Sequence, residues 1–354
     1  GHHALGASTD GENNIAIGKS ALAVSGNDAN NNIAIGLTAM GASDVSGADN
    51  IAMARTSLDA LTTGAANIAL GVNAMGAATT GGYNVALGHT ALGGGTLTGA
   101  DNIALGQATA DAVTSGACNV ALGAGALGAT TVGFRNVAIG ELALGLAVGN
   151  TDNQNQVAIG YKAIGNAVVT GSGNVGVGCG SLQSLTSGYR NVAAGNNSGD
   201  ALTTGFRNVA FGEHALGNTA DGCHNVAIGD IAMGTGVTTS VDNIAIGNMA
   251  LTDLTSGYNN TAIGKCALGN TTTGCLNIAL GNSALAGTVV TGINNIAIGT
   301  STMDALTSGI CNVAIGANAL GAATTGCLNV AIGELALGAC AHTGKCNIGI
   351  GLEA

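Results

Sequence analysis

One five-residue word constrains this chain more than any other feature. Seen at Asn329-Val330-Ala331-Ile332-Gly333, it occurs twenty times, beginning at residues 14, 32, 50, 67, 84, 102, 119, 136, 156, 174, 191, 208, 225, 243, 260, 277, 295, 312, 329 and 347. The intervals are 17 or 18 residues, with one of 20 between Asn136 and Gln156. A fixed period of this length marks a solenoid, each repeat forming one coil stacked on the last. The expected fold is all-β, a parallel β-solenoid of about 20 coils forming a single domain over residues 1–354.

Counting each coil from its Asn as position zero, position one is Ile or Val in every coil but one, Thr261 being the exception. Position three is large and apolar except at Ala194, and position two is always Ala or Gly. Apolar residues at alternate positions, closed by Gly, read as a short strand with positions one and three on the buried face. The uniform smallness of position two suggests that a second surface packs there as well. Position four is Gly in all coils except at Ala54, as expected of a corner with positive φ or close backbone approach. Positions seven and eight, as in Ala215-Leu216, mark a second buried segment, and stretches such as Leu61-Thr62-Thr63-Gly64 a less uniform third.

The Asn begins strand one. Stacked in register, its copies lie about 4.8 Å apart, so each side-chain amide can bond the next and a buried polar group is satisfied by its own repeat. Gln156 is the one substitution in this ladder. The alternative is an Asn used only as a turn residue. Twenty rungs at that spacing make a rod on the order of 95 Å long.

Composition agrees. Gly accounts for 62 residues and keeps register, while Pro is absent, as suits a chain whose backbone N–H groups join ladders. Charged residues are 8%, so much of the surface is expected to be covered on assembly or inert. A net charge of −11 argues against a nucleic-acid partner, and the absence of a long apolar run argues against membrane insertion of this segment. Gly1-His2-His3-Ala4-Leu5-Gly6 matches Gly88-His89-Thr90-Ala91-Leu92-Gly93, and the chain ends at Gly351-Leu352-Glu353-Ala354; both ends therefore fall inside a repeat without a polar cap. An uncapped coil is an open strand edge, expected either to continue in a longer protein or to stack on other copies. The surplus of the longest coil falls on Asn150-Thr151-Asp152-Asn153-Gln154-Asn155, expected to loop outward. The coil at Asn191 has Ala194 and Gly199 in apolar slots and is expected to be thinned or kinked.

No residue set carries chemistry. Six of the nine cysteines (Cys118, Cys223, Cys275, Cys311, Cys327 and Cys346) share the corner before the Asn with Phe134, Tyr189, Phe206 and Tyr258, which reads as a semi-buried apolar corner. Cys311 and Cys327 lie one position out of phase, so a disulfide between them is not expected, although rung spacing would permit one in phase. Cys340-x-His342-x3-Cys346 lacks the tight pairs and four ligands of a zinc site. Glu141, Glu213, Asp230 and Glu334 share position five, an exposed corner; Glu213 and Asp230 sit one coil apart with no pocket implied around them. Arg190 and Arg207, in the slot before Asn, should face solvent. The Gly-rich words open no helix, so they cannot form a phosphate cradle. The expectation is no catalytic, cofactor-binding or metal-binding residue. Threonine recurs at position twelve (Thr62, Thr79, Thr114, Thr203, Thr255, Thr307 and others), giving one outward row rather than the paired rows of an ice-binding face.

Words such as Asn136-Val137-Ala138-Ile139-Gly140 resemble the Val-Ala-Ile-Gly repeats in head domains of trimeric autotransporter adhesins, and are similar to repeats in phage tail-fibre shafts. The resemblance covers essentially the whole chain. It implies a left-handed parallel β-roll, three chains associating side by side, and a surface that binds host matrix or cells. The functional expectation is a structural, non-enzymatic segment of an extracellular or virion fibre, self-associating as a homotrimer and serving adhesion or display. Its rivals are a subunit that stacks end to end into filaments, and an ice-binding solenoid.

Overall fold

A computed structural model describes the chain apart from residues 9, 27–28, 147–153, 166–167, 237–238, 288 and 340–342. Among the described residues there is no helix; each of the twenty repeat words forms a three-residue strand. The strands separate into two compact units, Gly1–Cys179 and Gly180–Ala354. In the first unit, strands from Ile15–Ile17 to Val175–Val177 pair in parallel with their sequence neighbours, word on word: Ile15 lies against Ile33, and Val137 against Val157. In the second, strands from Val192–Ala194 to Ile348–Ile350 do the same, with Val209 against Val226 and Ile332 against Ile350. Both units are parallel β-solenoids, and neighbouring rungs such as those of Ile17 and Ile35 are in direct register. Ala7–Ser8 and Val24–Ser25 form a separate two-stranded sheet at the first coils.

The asparagine ladder is present and runs through the interior. Asn225 shows how its polar atoms are satisfied. Its Oδ1 accepts from the backbone N–H of Asn243 at 3.0 Å and from that residue's side-chain amide at 3.1 Å. Its own amide donates to Asn208 Oδ1 at 3.3 Å and to the Ser240 carbonyl at 2.8 Å. The same pattern recurs at Asn67, Asn84, Asn277, Asn295 and Asn312, all buried. Gln156 stays in the column: it donates its N–H to Asn136 Oδ1, and its Oε1 accepts from the Asn174 N–H at 3.1 Å.

The strand faces are the reverse of the sequence expectation. Position two is the buried one: Ala34, Ala69, Ala121, Ala227 and Ala314 are fully enclosed. No residue at position one or three is buried in any coil. The reason lies across the coil. A Cβ added at Gly349 would fall 2.8 Å from Leu337 Cγ, so position two faces the position-eight leucine of the preceding coil. Leu58, Leu92, Leu216 and Leu285 at that slot, with Leu61, Leu185 and Leu306 of the third segment, fill the interior. At interior packing density the strand opposite them has room for a methyl group and no more. Position two is thus packed, as its uniform smallness suggests, and the large apolar residues are turned outward.

Corners are made by left-handed residues, three per coil, besides the glycine of position four. In the Asn225 coil these are His224, Ile231 and Met233, with φ of 58°, 55° and 51°. A β-branched residue such as Ile231 in this region is an outlier, and nothing in the repeat pattern announces it. Position four needs glycine for a second reason: a Cβ on Gly229 would sit 2.6 Å from the Gly247 carbonyl carbon and oxygen. Ala54 occupies this slot at φ 116°. The weak coil at Asn191 keeps its strand, paired in register with the next. The leucine missing at Gly199 is replaced by Leu182 and Leu202, whose methyl groups lie 2.9 and 3.0 Å from where a Cβ would be. Of the expected outward loop, residues 150–153 lie outside the described residues, while Gln154 bridges to Phe134 and Asn155 donates to the Phe134 carbonyl.

Candidate interaction surface

Because positions one and three point away from the core, each unit carries two parallel columns of large apolar side chains on its sheet. Phe211, Ile228 and Ile263 are 42%, 39% and 41% exposed. Strand geometry sets the two columns about 7 Å apart and the rungs about 4.8 Å apart. Ten rungs by a strip about 10 Å wide give roughly 480 Å² of apolar surface per unit, at the upper range of the largest patch on an ordinary monomer, about 300–600 Å². No charged residue occupies either column in any coil.

Two rim columns flank this face. At position five stand Arg55, Glu141, Glu213, Asp230 and Glu334, all exposed. On the other rim, in the slot before Asn, stand Asp49, Arg135, Arg190, Arg207 and Asp242. Arg190 and Arg207 face solvent as expected, each resting over its own aromatic neighbour, Tyr189 or Phe206, at about 6 Å. Tyr189 and Phe206 stack at 4.8 Å with rings 2° from parallel, and His224 meets Phe206 edge-on at 5.3 Å. Phe134, Tyr189 and Phe206 are half-buried as the shared Cys and aromatic slot predicts, whereas Tyr258, Cys118 and Cys346 in the same slot are exposed and Cys275 is buried. Among the described residues the one contact of ion-pair length is between His224 Nδ1 and Asp242 Oδ1, at 3.4 Å.

The other sequence candidates do not converge. Glu213 and Asp230 sit one rung apart and exposed, and each accepts from an asparagine of a neighbouring rung, Asn196 and Asn248. Neither lines either of two surface grooves in the second unit. One groove, of about 260 Å³, runs between Met249, Cys266, Asp253 and Asn270; the other, of about 360 Å³, runs between Asp200, His214, Ile231 and Asn218. Eight cysteines are free thiols; Cys311 and Cys327 are unlinked, and Cys346 donates its N–H to the Cys327 carbonyl. Cys340 and His342 lie outside the described residues, and among the described ones no group of three His, Cys, Asp or Glu could hold a metal ion. The position-twelve threonines turn their hydroxyls onto the next coil's carbonyls, as in Thr62 to Thr79, Thr186 to Thr203 and Thr307 to Thr324, at 2.9–3.0 Å. The exposed hydroxyls are those one residue on, Thr63, Thr204 and Ser308.

Asp59, Asp200 and Asp304 share position nine, where many coils have glycine. Burial raises each carboxyl above the usual carboxylate range, against smaller opposing effects of nearby backbone N–H groups and, for Asp200, of His214. They are scattered over separate rungs and form no cluster. The apolar face escaped the sequence reading because alternation fixes which residues share a face but not which face is inside. No family model matches the chain, and no curated protein matches it.

Proposed function

We propose that this chain is a structural segment of an extracellular or virion fibre, acting by self-association and surface display rather than by catalysis. The observation that carries this reading is the apolar sheet face of positions one and three. Strips of this length and uniformity cost free energy in water and mark surfaces that a partner covers. The ladders inside each coil supply rigidity without a ligand, and the likeness of the repeat word to adhesin heads and tail-fibre shafts points the same way. The ice-binding alternative is weaker, since the position-twelve hydroxyls are engaged by backbone carbonyls and the exposed hydroxyls one residue on form a single row of mixed Thr and Ser.

Sedimentation equilibrium of the intact chain tests the proposal. Native protein should associate at micromolar concentration, and an Ile139→Lys, Ile228→Lys variant should remain monomeric with an unchanged circular dichroism spectrum. A native chain that stays monomeric up to about 100 μM would overturn the reading.

A further inference from the structure

The rims say how two copies meet. Four rungs carry an Asp, Glu, Lys, Arg or His at both ends of the strand: Asp49 with Arg55, Arg135 with Glu141, Arg207 with Glu213, and His224 with Asp230. Two of these rungs lie in each unit. In the three rungs that pair an arginine with a carboxylate the signs are opposite, and no rung carries like charges at its two ends. All four arginines of the chain stand on these two rim columns.

Within one chain this matching has no use. The two ends of a rung are six residues apart, up to about 20 Å of extended chain, beyond the reach of an ion pair, and none of the four pairs is made in the structure. Opposite ends of one strand do meet when a second copy covers the face. A two-fold axis parallel to the stacking direction lays rung on the same rung with the strands running oppositely. Position one then faces position three, and the slot before Asn faces position five. Apolar sheets packed this way lie about 10 Å apart, a gap that Arg and Glu side chains reaching from facing rims can bridge. A two-fold along the strands would instead set each rim column against itself, and one along the face normal would not cover the face.

We infer that the apolar face of each unit is an interface with the same unit of a second copy of this chain, related by a two-fold axis along that unit's stack, with identical rungs in register. This rests on the self-association proposed above. Each unit's strip of roughly 480 Å² gives about 960 Å² counted over both partners, close to the roughly 1,000 Å² that a specific interface needs. The rim pairs, at Arg135–Glu141 and Arg207–Glu213 above all, then set register and orientation, the usual role of interfacial charge.

Two full-length variants test it. One carries Arg135→Glu and Arg207→Glu, the other Glu141→Arg and Glu213→Arg; all four positions are exposed, so folding is preserved. In the proposed dimer each variant alone opposes like charges at four contacts, whereas a mixture of the two restores four attractive ones. Each variant alone should associate roughly ten- to fiftyfold more weakly than the native chain at low salt, and an equimolar mixture should form heterodimers near native affinity. A chain combining all four substitutions should self-associate like the native one. Association without preference for the mixture, or a discrete trimer, would overturn the two-fold geometry while leaving self-association standing. A monomeric native chain would overturn both.

Discussion

Replacing Asn225 by Ala takes one rung out of the interior ladder, and its cost follows from the bonds that end there. Four hydrogen bonds are lost: two that Oδ1 accepts from Asn243 and two that the amide donates, to Asn208 and Ser240. Most partners have a second contact. The Asn243 amide keeps the Gly257 and Val241 carbonyls, the Ser240 carbonyl still accepts from the Cys223 N–H, and Asn208 Oδ1 keeps the Asn225 backbone N–H. The Asn243 backbone N–H alone is orphaned in a buried site, which costs about 1–3 kcal/mol, and the remaining bonds add about 0.5–1 kcal/mol each. The sum is about 2.5–6 kcal/mol. Asn225→Asp should cost more at neutral pH, because the carboxylate loses both donors and sets negative charge against Asn208 Oδ1 and the Ser240 carbonyl; acid should relieve part of it. Because coils unfold locally as well as globally, the assay pairs a thermal melt with hydrogen exchange at the Asn243 amide. Destabilisation below about 1 kcal/mol with unchanged exchange would refute the ladder as a determinant of stability.

Three further outcomes follow from the corners and the buried carboxyls. Gly229→Ala, which drives a methyl into the Gly247 carbonyl group at φ 133°, should cost about 2–4 kcal/mol in a denaturant titration. Ile231→Asn relieves a β-branched residue at φ 55° and should gain about 0.5–1 kcal/mol by the same assay. Asp59, Asp200 and Asp304 are raised above their unfolded value of 3.8, so the folded chain holds protons that the unfolded chain has released. Stability should therefore fall as pH rises from about 4 through their folded values, and a variant with Asn at all three positions should show a shallower fall in Tm over that range.

The period, the parallel stack, the asparagine ladder and the Ala-Leu core segment were legible because each is a repeated demand. A slot filled alike in coil after coil reports a shared environment. The facing of the strand was not legible from hydrophobicity: Ile228 and Ala227 are both apolar, and alternation alone leaves two choices. The distinguishing sign was tolerance. Position three accepts Ile, Val, Leu, Met, Phe and Ala, whereas position two accepts only Ala and Gly, and a tightly packed interior is the place that restricts size. The left-handed corners at Ile231, Met233 and His224 were hidden for another reason. Hydrogen bonds between coils hold them, as from Ile231 N–H to the Glu213 carbonyl and Met233 N–H to the Ala250 carbonyl, so tertiary contacts override the local preference. The rim pairing was hidden because its two columns matter only when a second chain is considered.

The inverted strand is tested most directly by comparing Tm for Ala227→Leu and Ile228→Asn, dilute enough that chains are apart. With Ala227 fully enclosed and Ile228 at the surface, the leucine should be the damaging change, costing about 1–3 kcal/mol or more by overpacking, and the asparagine should cost less than about 1 kcal/mol. A tolerated leucine beside a severely destabilising asparagine would place the isoleucine inside and contradict the account.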